Sequence, residues 1–308
     1  MPTTTDQADA LLAVADKAER RLAAAVRRTM NGLQAAFPEA EVAKLIEAHR
    51  GISVDMIPWN DFYVMPTFKS DAALVGDNLQ AEFLRTMVEA AKVAGVEGSS
   101  FTVLNPYAIR AARTMAADLV AHEKRVTREA VKRVIVSAVR GRLTAQEAAR
   151  LIARSVGLDP RSAQALANYA VQLAAVDAGT AGVSTLNRAG MAAPKTARGR
   201  ATAVDRYAKR LLRTRAETIA RTEIMTAANR GVHLSWEQAA RDELINTQHA
   251  RRQIVVTYDD RTCPRCSPLD GAVVGFGESF VEEFKGAKTT FLFPPIHQKC
   301  RCTVILLT

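Results

Sequence analysis

The sequence predicts an α+β protein, predominantly α-helical, in which long helices are followed by a small C-terminal β unit. Three observations carry this reading. Of 308 residues, 48% are hydrophobic but only 6% aromatic, a leanness produced by alanine, the strongest helix former. Apolar residues recur at helical spacing as far as about Leu244, after which β-branched, alternating runs take over. All four cysteines lie in that last part, as Cys263 with Cys266 and Cys300 with Cys302.

Taken in order, residues 6–30 repeat Ala, Leu and Val at helical spacing, with acids early and Arg27 and Arg28 late, as the helix dipole prefers. A second helix is expected over PEAEVAKLIEAHR, with proline near its start and Gly51 past its end. Residues 51–69 hold Pro58, Pro66, Trp59, Phe62, Tyr63 and Phe68 and read as an aromatic loop, either pinned into a core or open to a partner. Helical patterning returns over 71–94, breaks at GVEGSS, and resumes as a long basic helix over 106–140. LTAQEAARLIARSVG and DPRSAQALANYAVQL predict two short helices about a tight turn, the second with Asp159 as N-cap and Pro160 at its first position. Gly179–Gly199 reads as an exposed loop, and helix resumes from Ala201 to about Leu244. RQIVVTYD then predicts a strand, GAVVGFGESF a hairpin, and TVILLT a closing strand.

These shifts divide the chain into an N-terminal helical region with the aromatic loop (1–98), a basic helical body (99–245) and the small β unit (246–308). The N-terminus shows no apolar signal core, and no run approaches the roughly 20 apolar residues of a membrane span. A soluble chain made in the cytoplasm is expected. The net charge of +10 is uneven: residues 105–233 hold 23 Lys and Arg against 9 Asp and Glu, and the remainder 19 against 23. That middle region suits a polyanion such as DNA, or it is a solvated helix face.

Cys263 and Cys266 flank Pro264 and Arg265, a knuckle that aims two sulfurs at one point. Cys300 and Cys302 stand two apart, so in an extended segment both face one side. Two converging pairs make the tetrahedral thiolate cage of a closed structural zinc site. The β unit is therefore expected to carry a zinc knuckle formed by the four cysteines, with His297 as the alternative fourth ligand. Disulfides, a redox CxxC and zinc-deaminase chemistry compete with this reading. A cytoplasmic chain disfavours the first. The second needs a helix starting at the CxxC, whereas Leu269-Asp270-Gly271 is turn chemistry. The third needs a His-x-Glu that the sequence lacks. Asp259, Asp260 and Asp270 are better read as strand-end and turn residues than as ligands for a hard cation.

No GxSxG, GxxxxGK[ST] or HExxH occurs, and Ser99, Ser100, Ser137, Ser184 and His122 form no recognisable dyad by spacing. No catalytic residue is assigned.

Three stretches in order carry a family resemblance. RTCPRC, LDG, PPIH and CRC ahead of a closing strand resemble the C-terminal part of the phage Mu F-like minor head proteins, the phage head morphogenesis family. AETIARTEIMTAANRG, residues 216–231, is similar to the helix before the β unit in that family, and residues 143–169 resemble its upstream helical hairpin. Together they span about 107–308. The resemblance implies a minor structural protein of a tailed-phage head, carried in the virion after assembly in the bacterial cytoplasm. It places the protein at or near the portal vertex, acting in head morphogenesis and in DNA packaging or ejection. Implied partners are the portal protein, the major capsid protein or both, with packaged DNA along the basic region and neither membrane nor small-molecule substrate. Arg221, Thr222 and Glu223 are carried over as a hydrogen-bond and ion-pair node docking the helices onto the β unit, the alternative being a surface triplet. Asp270 and Gly271 carry over as the turn of the motif. Two other functions stay open: a capsid maturation protease, and a nonspecific DNA-binding module with a structural zinc.

Overall fold

The computed structural model describes residues 4–49, 53–57, 66–141, 143–177, 196–257 and 262–308. Trp59, Phe62 and Tyr63 of the expected aromatic loop, Ser184 with most of the loop expected over 179–199, and Asp259 and Asp260 lie outside the described residues. Seven α-helices are present among those described: α1 (Thr4–Ala35), α2 (Glu39–His49), α3 (Pro66–Ala94), α4 (Pro106–Arg140), α5 (Ala145–Ser155), α6 (Pro160–Asp177) and α7 (Ala197–Arg241). Five strands follow: β1 (Arg251–Val255), β2 (Val273–Gly275), β3 (Phe280–Phe284), β4 (Ala287–Phe291) and β5 (Thr303–Leu307). The fold is the expected long-helix array with a small C-terminal β unit. No described helix is long and apolar enough to cross a membrane.

The limits of the helices follow their punctuation, with departures of a few residues; α1, for instance, runs past residue 30 and through Asn31-Gly32 to Ala35. Proline suits the first helical position, so α3 starts at Pro66 and takes Phe68 out of the loop expected to run to Lys69. Helix α7 starts four residues ahead of Ala201, because the Thr196 hydroxyl accepts the Gly199 N–H at 3.0 Å and caps it. It stops at Arg241 because Glu243 takes a left-handed φ of 59° while the Leu244 N–H donates back to the Ala239 carbonyl at 2.8 Å.

The β unit corrects one expectation. GAVVGFGESF does not form a hairpin: β2 pairs antiparallel with β1, giving the sheet order β2-β1-β5, while β3 pairs with β4 in a separate two-stranded sheet. The true hairpin turns at Lys285 and Gly286, both at positive φ (51° and 78°), as the twist of a two-residue turn demands. The β2 strand instead reaches β1 through the turn at Asp270 and Gly271, where Gly271 adopts a φ of 73° and donates to the Ile254 carbonyl at 3.0 Å.

By internal contact the chain forms two compact units. One gathers residues 1–25, 76–117 and 217–308; the other gathers 26–75 and 118–216. Four helices contribute to both, so these units do not coincide with the consecutive blocks 1–98, 99–245 and 246–308. In the first unit, Gly231 brings α7 against α3; a Cβ there would lie 2.4 Å from the Met87 backbone. The fully buried Trp236 donates its indole N–H to the Ala94 carbonyl at 2.9 Å, closing the end of α3. In the second unit, α2 packs on α5, whose N-terminus carries a capping box between Thr144 and Glu147. Gln34 donates to the Arg154 and Val156 carbonyls at the other end of α5, at 3.0 and 2.9 Å.

Candidate metal centre

The cysteine cluster is built on two short turns of the β unit. In the first, the Cys266 N–H donates to the Cys263 carbonyl at 3.1 Å, and a 3-10 turn over Ser267–Leu269 follows rather than a helix. In the second, the Cys300 N–H donates to the His297 carbonyl at 3.2 Å. All four cysteines are free thiols. Cys266, Cys300 and Cys302 are buried in the apolar core with Val256, Phe280 and Val304, and Cys263 is half-buried.

These turns bring all five predicted donors together. Cys263 Sγ lies 3.3 Å from Cys266 Sγ, and the two sulfurs lie 2.9 and 3.0 Å from His297 Nε2. Cys266 Sγ lies 3.8 Å from Cys300 Sγ. Cys266 is shared by two close groups, one with Cys263 and His297 and the other with Cys300 and Cys302. Between them is a cavity of about 20 Å³, room for one water-sized body. The donor set suits a tetrahedral ion of the zinc type: sulfur at about 2.3 Å and nitrogen at about 2.0–2.1 Å from such an ion imply edges of about 3.8 Å between sulfurs and about 3.6 Å between sulfur and nitrogen. The Cys266 to Cys300 distance meets that edge, and the shorter ones lie within about 0.7 Å of it.

Packing thiols this closely redistributes their protons. Hydrogen bonds from Cys266 and then Cys302 pull Cys300 down to about 2, against the effect of burial. Cys266 moves up through its hydrogen bonds to Cys300 and Cys302 and its burial. Cys302 is lowered by its bond with Cys266, but the bond to Cys300 and burial outweigh this and push it up to about 12.

Three groups fix the cluster to its surroundings. Arg265, inside the CxxC, makes two bonds to Glu282 on β3, at 2.6 and 2.5 Å. Those bonds hold the buried Glu282 carboxyl below its ordinary range, and the guanidinium lies over the Phe284 ring at 5.2 Å. Thr222 on α7 accepts the Lys299 N–H at 3.1 Å, bracing a residue held at a φ of 61° within the His297–Cys300 turn. Asn229, one helical stretch further on, is fully buried; it donates to the Cys302 carbonyl at 3.2 Å and accepts the Val304 N–H at 3.1 Å.

The remaining predicted residues fall as follows. Arg221 turns to α1, pairing with Asp16 at 2.9 Å and Glu19 at 2.5 Å. Burial lifts Glu19 above its ordinary range despite the pull of Arg221. Within the Arg221–Thr222–Glu223 triplet, Thr222 bonds the β unit through the Lys299 N–H. Asp270 accepts the Val256 N–H at 2.9 Å, which fixes the turn shared with Gly271. His122 and Ser137 stand on α4 fifteen positions apart, about 22 Å along a helix, and Ser137 accepts from Gln164 at 2.8 Å.

Sequence reasoning did not single out Asn229 or Arg252. Arg252 is wholly buried; it donates to the carbonyls of Leu292 (2.6 Å) and Glu278 and lies over the Phe280 ring at 5.4 Å, tying β1 to the second sheet. Strand alternation contained the clue, since Arg252 shares a face with the buried Ile254.

A sequence model of one family, described as Phage Mu protein F like protein, matches residues 128–305, more than half of the chain. That span takes in α5, α6, α7 and the whole cysteine cluster. No curated protein and no solved structure matches.

Proposed function

Because the chain belongs to the phage Mu F-like family of head morphogenesis proteins, we propose that it is a minor structural protein of a tailed-phage head, positioned at or near the portal vertex. The observation that carries the reading is the order of elements within the matched span: the helical pair, the long α7 helix, then the cysteine cluster closed by β5. Its partners on this reading are the portal protein, the major capsid protein or both, and it acts without catalysis during head assembly and DNA packaging or ejection. Mass spectrometry of purified virions tests this directly: peptides from this chain are expected in full heads, and their absence would sink the proposal. Capsid protein that stays uncleaved on coexpression is the expected result against the protease reading.

A second reading rests on charge. In the second unit, Arg125, Lys132, Arg133 and Arg140 on α4 and Arg206, Lys209 and Arg210 on α7 are exposed. Such a surface suits the phosphate backbone of packaged DNA, with affinity that falls steeply with salt. Binding to random duplex that does not change between about 50 and 200 mM salt would exclude phosphate contact as its basis.

The cysteine cluster is proposed to hold a structural zinc. The ion would supply a fixed tetrahedral junction between the two turns, and Arg265 and Thr222 would hold those turns in place.

A further inference from the structure

We infer that the metal is held by Cys263, Cys266, His297 and Cys300, and that Cys302 stays a thiol beside the coordination set. The inference rests on the zinc reading above and decides among its five donors.

The two turns are equivalent. Cys263-x-x-Cys266 and His297-x-x-Cys300 each close by the same bond, from the fourth residue's N–H to the first residue's carbonyl, at 3.1 and 3.2 Å. Each therefore presents its first and fourth side chains to one point. The Cys300 and Cys302 pair, which straddles the junction of turn and β5, has no such closure.

His297 is oriented as a ligand. Its Nδ1 lies 2.7 Å from the Gln298 carbonyl. A carbonyl only accepts, so Nδ1 carries the proton and Nε2 carries the lone pair. That lone pair faces the two sulfurs of the first turn at 2.9 and 3.0 Å. A ligating histidine is ordinarily held in this way, by a carbonyl on its other nitrogen.

Cys300 and Cys302 then compete for one place, and the geometry favours Cys300. Its sulfur stands 3.8 Å from that of Cys266, the tetrahedral edge. Cys302 is anchored instead. Its carbonyl is held by Asn229, which also holds Val304 two residues on, so its backbone is committed to β5 rather than to a closed turn.

X-ray absorption at the zinc edge of the full-length protein, purified with zinc, tests the assignment. A fit of three sulfurs and one nitrogen is expected, and four sulfurs would overturn it. In parallel, Cys302→Ala is expected to keep one equivalent of zinc, while Cys300→Ala weakens binding by more than about 100-fold. Cys302→Ala losing the metal while His297→Ala keeps it would also overturn the assignment. Should Cys302→Ala fail to fold, the absorption measurement on the unaltered protein still decides. A protein that binds no zinc at all would remove the zinc reading itself, an outcome distinct from a four-sulfur site.

Discussion

The junction of α7 with the β unit and the α2–α5–α6 region of the other unit are both locked by polar side chains, but with different partners. At the junction the locks run from side chain to backbone, and the side chains are buried in all but one: Asn229 to Cys302 and Val304, Arg252 to Leu292 and Glu278, and Trp236 to Ala94, with the more exposed Thr222 to Lys299. In the helical region the longer-range locks are mostly ion pairs between half-exposed side chains, such as Arg154 with Glu39 at 3.1 Å and with Asp205 at 2.8 Å. Arg215 on α7 and Glu123 on α4 form a more buried pair at 2.6 Å. A backbone carbonyl cannot swing to follow a mutation, whereas a long side chain near water can find another partner. The first region therefore specifies position more narrowly, as a cluster of metal donors requires; the second tolerates looser packing, which suits alanine-rich helices.

The sharpest test of this contrast is metal removal. Zinc binding to a structural site is worth about 10 kcal/mol or more, and that energy is folding energy where the site forms only with its fold. Chelation is expected to abolish amide-exchange protection across β1, β2 and β5 while most helical circular dichroism persists. Protection that survives chelation would mean that the polar clamps suffice without an ion. The next largest effect is expected at Asn229→Leu, which strands a buried carbonyl at Cys302 and a buried N–H at Val304. At about 1–3 kcal/mol for each stranded group, partly relieved by relaxation, the loss should be about 2–4 kcal/mol in denaturant unfolding. A cost below about 1 kcal/mol would show that water reaches these groups, and the contrast would fail at its strongest point. Gly231→Ala should come third, at about 1–3 kcal/mol, because its Cβ would lie 2.4 Å from the Met87 backbone, which can yield only if α3 shifts.

The same contrast governs how much could be read from the sequence. Local punctuation gave the helices: Pro106 and Arg140 bound α4 as expected, and Thr144, Asp159 and Pro160 start α5 and α6 where their chemistry places them. The convergence of Cys263, Cys266 and His297 with Cys300 and Cys302 was also legible, since spacing alone aims each pair at one point. What sequence spacing does not contain is the choice of partner across the chain. The β3–β4 hairpin went unread because Lys285-Gly286 is a weaker turn signal than the glycines of GAVVGFG, which serve a strand paired elsewhere. Asn229 lies within the family-like stretch 216–231, but spacing does not single it out, because its partners lie over seventy residues away. The choice between four cysteines and a set that includes His297 is likewise not contained in the spacing; the structure adds that the His297-x-x-Cys300 turn closes by the same bond as Cys263-x-x-Cys266.

The smallest effect sharpens the comparison from the other side. Thr144 caps α5 through its hydroxyl, which accepts the Glu147 N–H at 3.2 Å, while the Glu147 carboxylate accepts the Thr144 N–H at 3.0 Å. Both bonds are exposed, so in Thr144→Ala water can take over the Glu147 N–H and the carboxylate keeps its own bond. The expected cost is about 1 kcal/mol, the ordinary value of an N-cap. Asn229→Leu should cost about two to four times as much, although both substitutions remove side-chain bonds to backbone groups. Burial is then the variable that separates them. Equal midpoint shifts for the two variants in the same denaturant series would show that the polar clamps at the metal-bearing end are no more exacting than a surface cap. In that case the positional precision of the cluster would have to come from the ion itself.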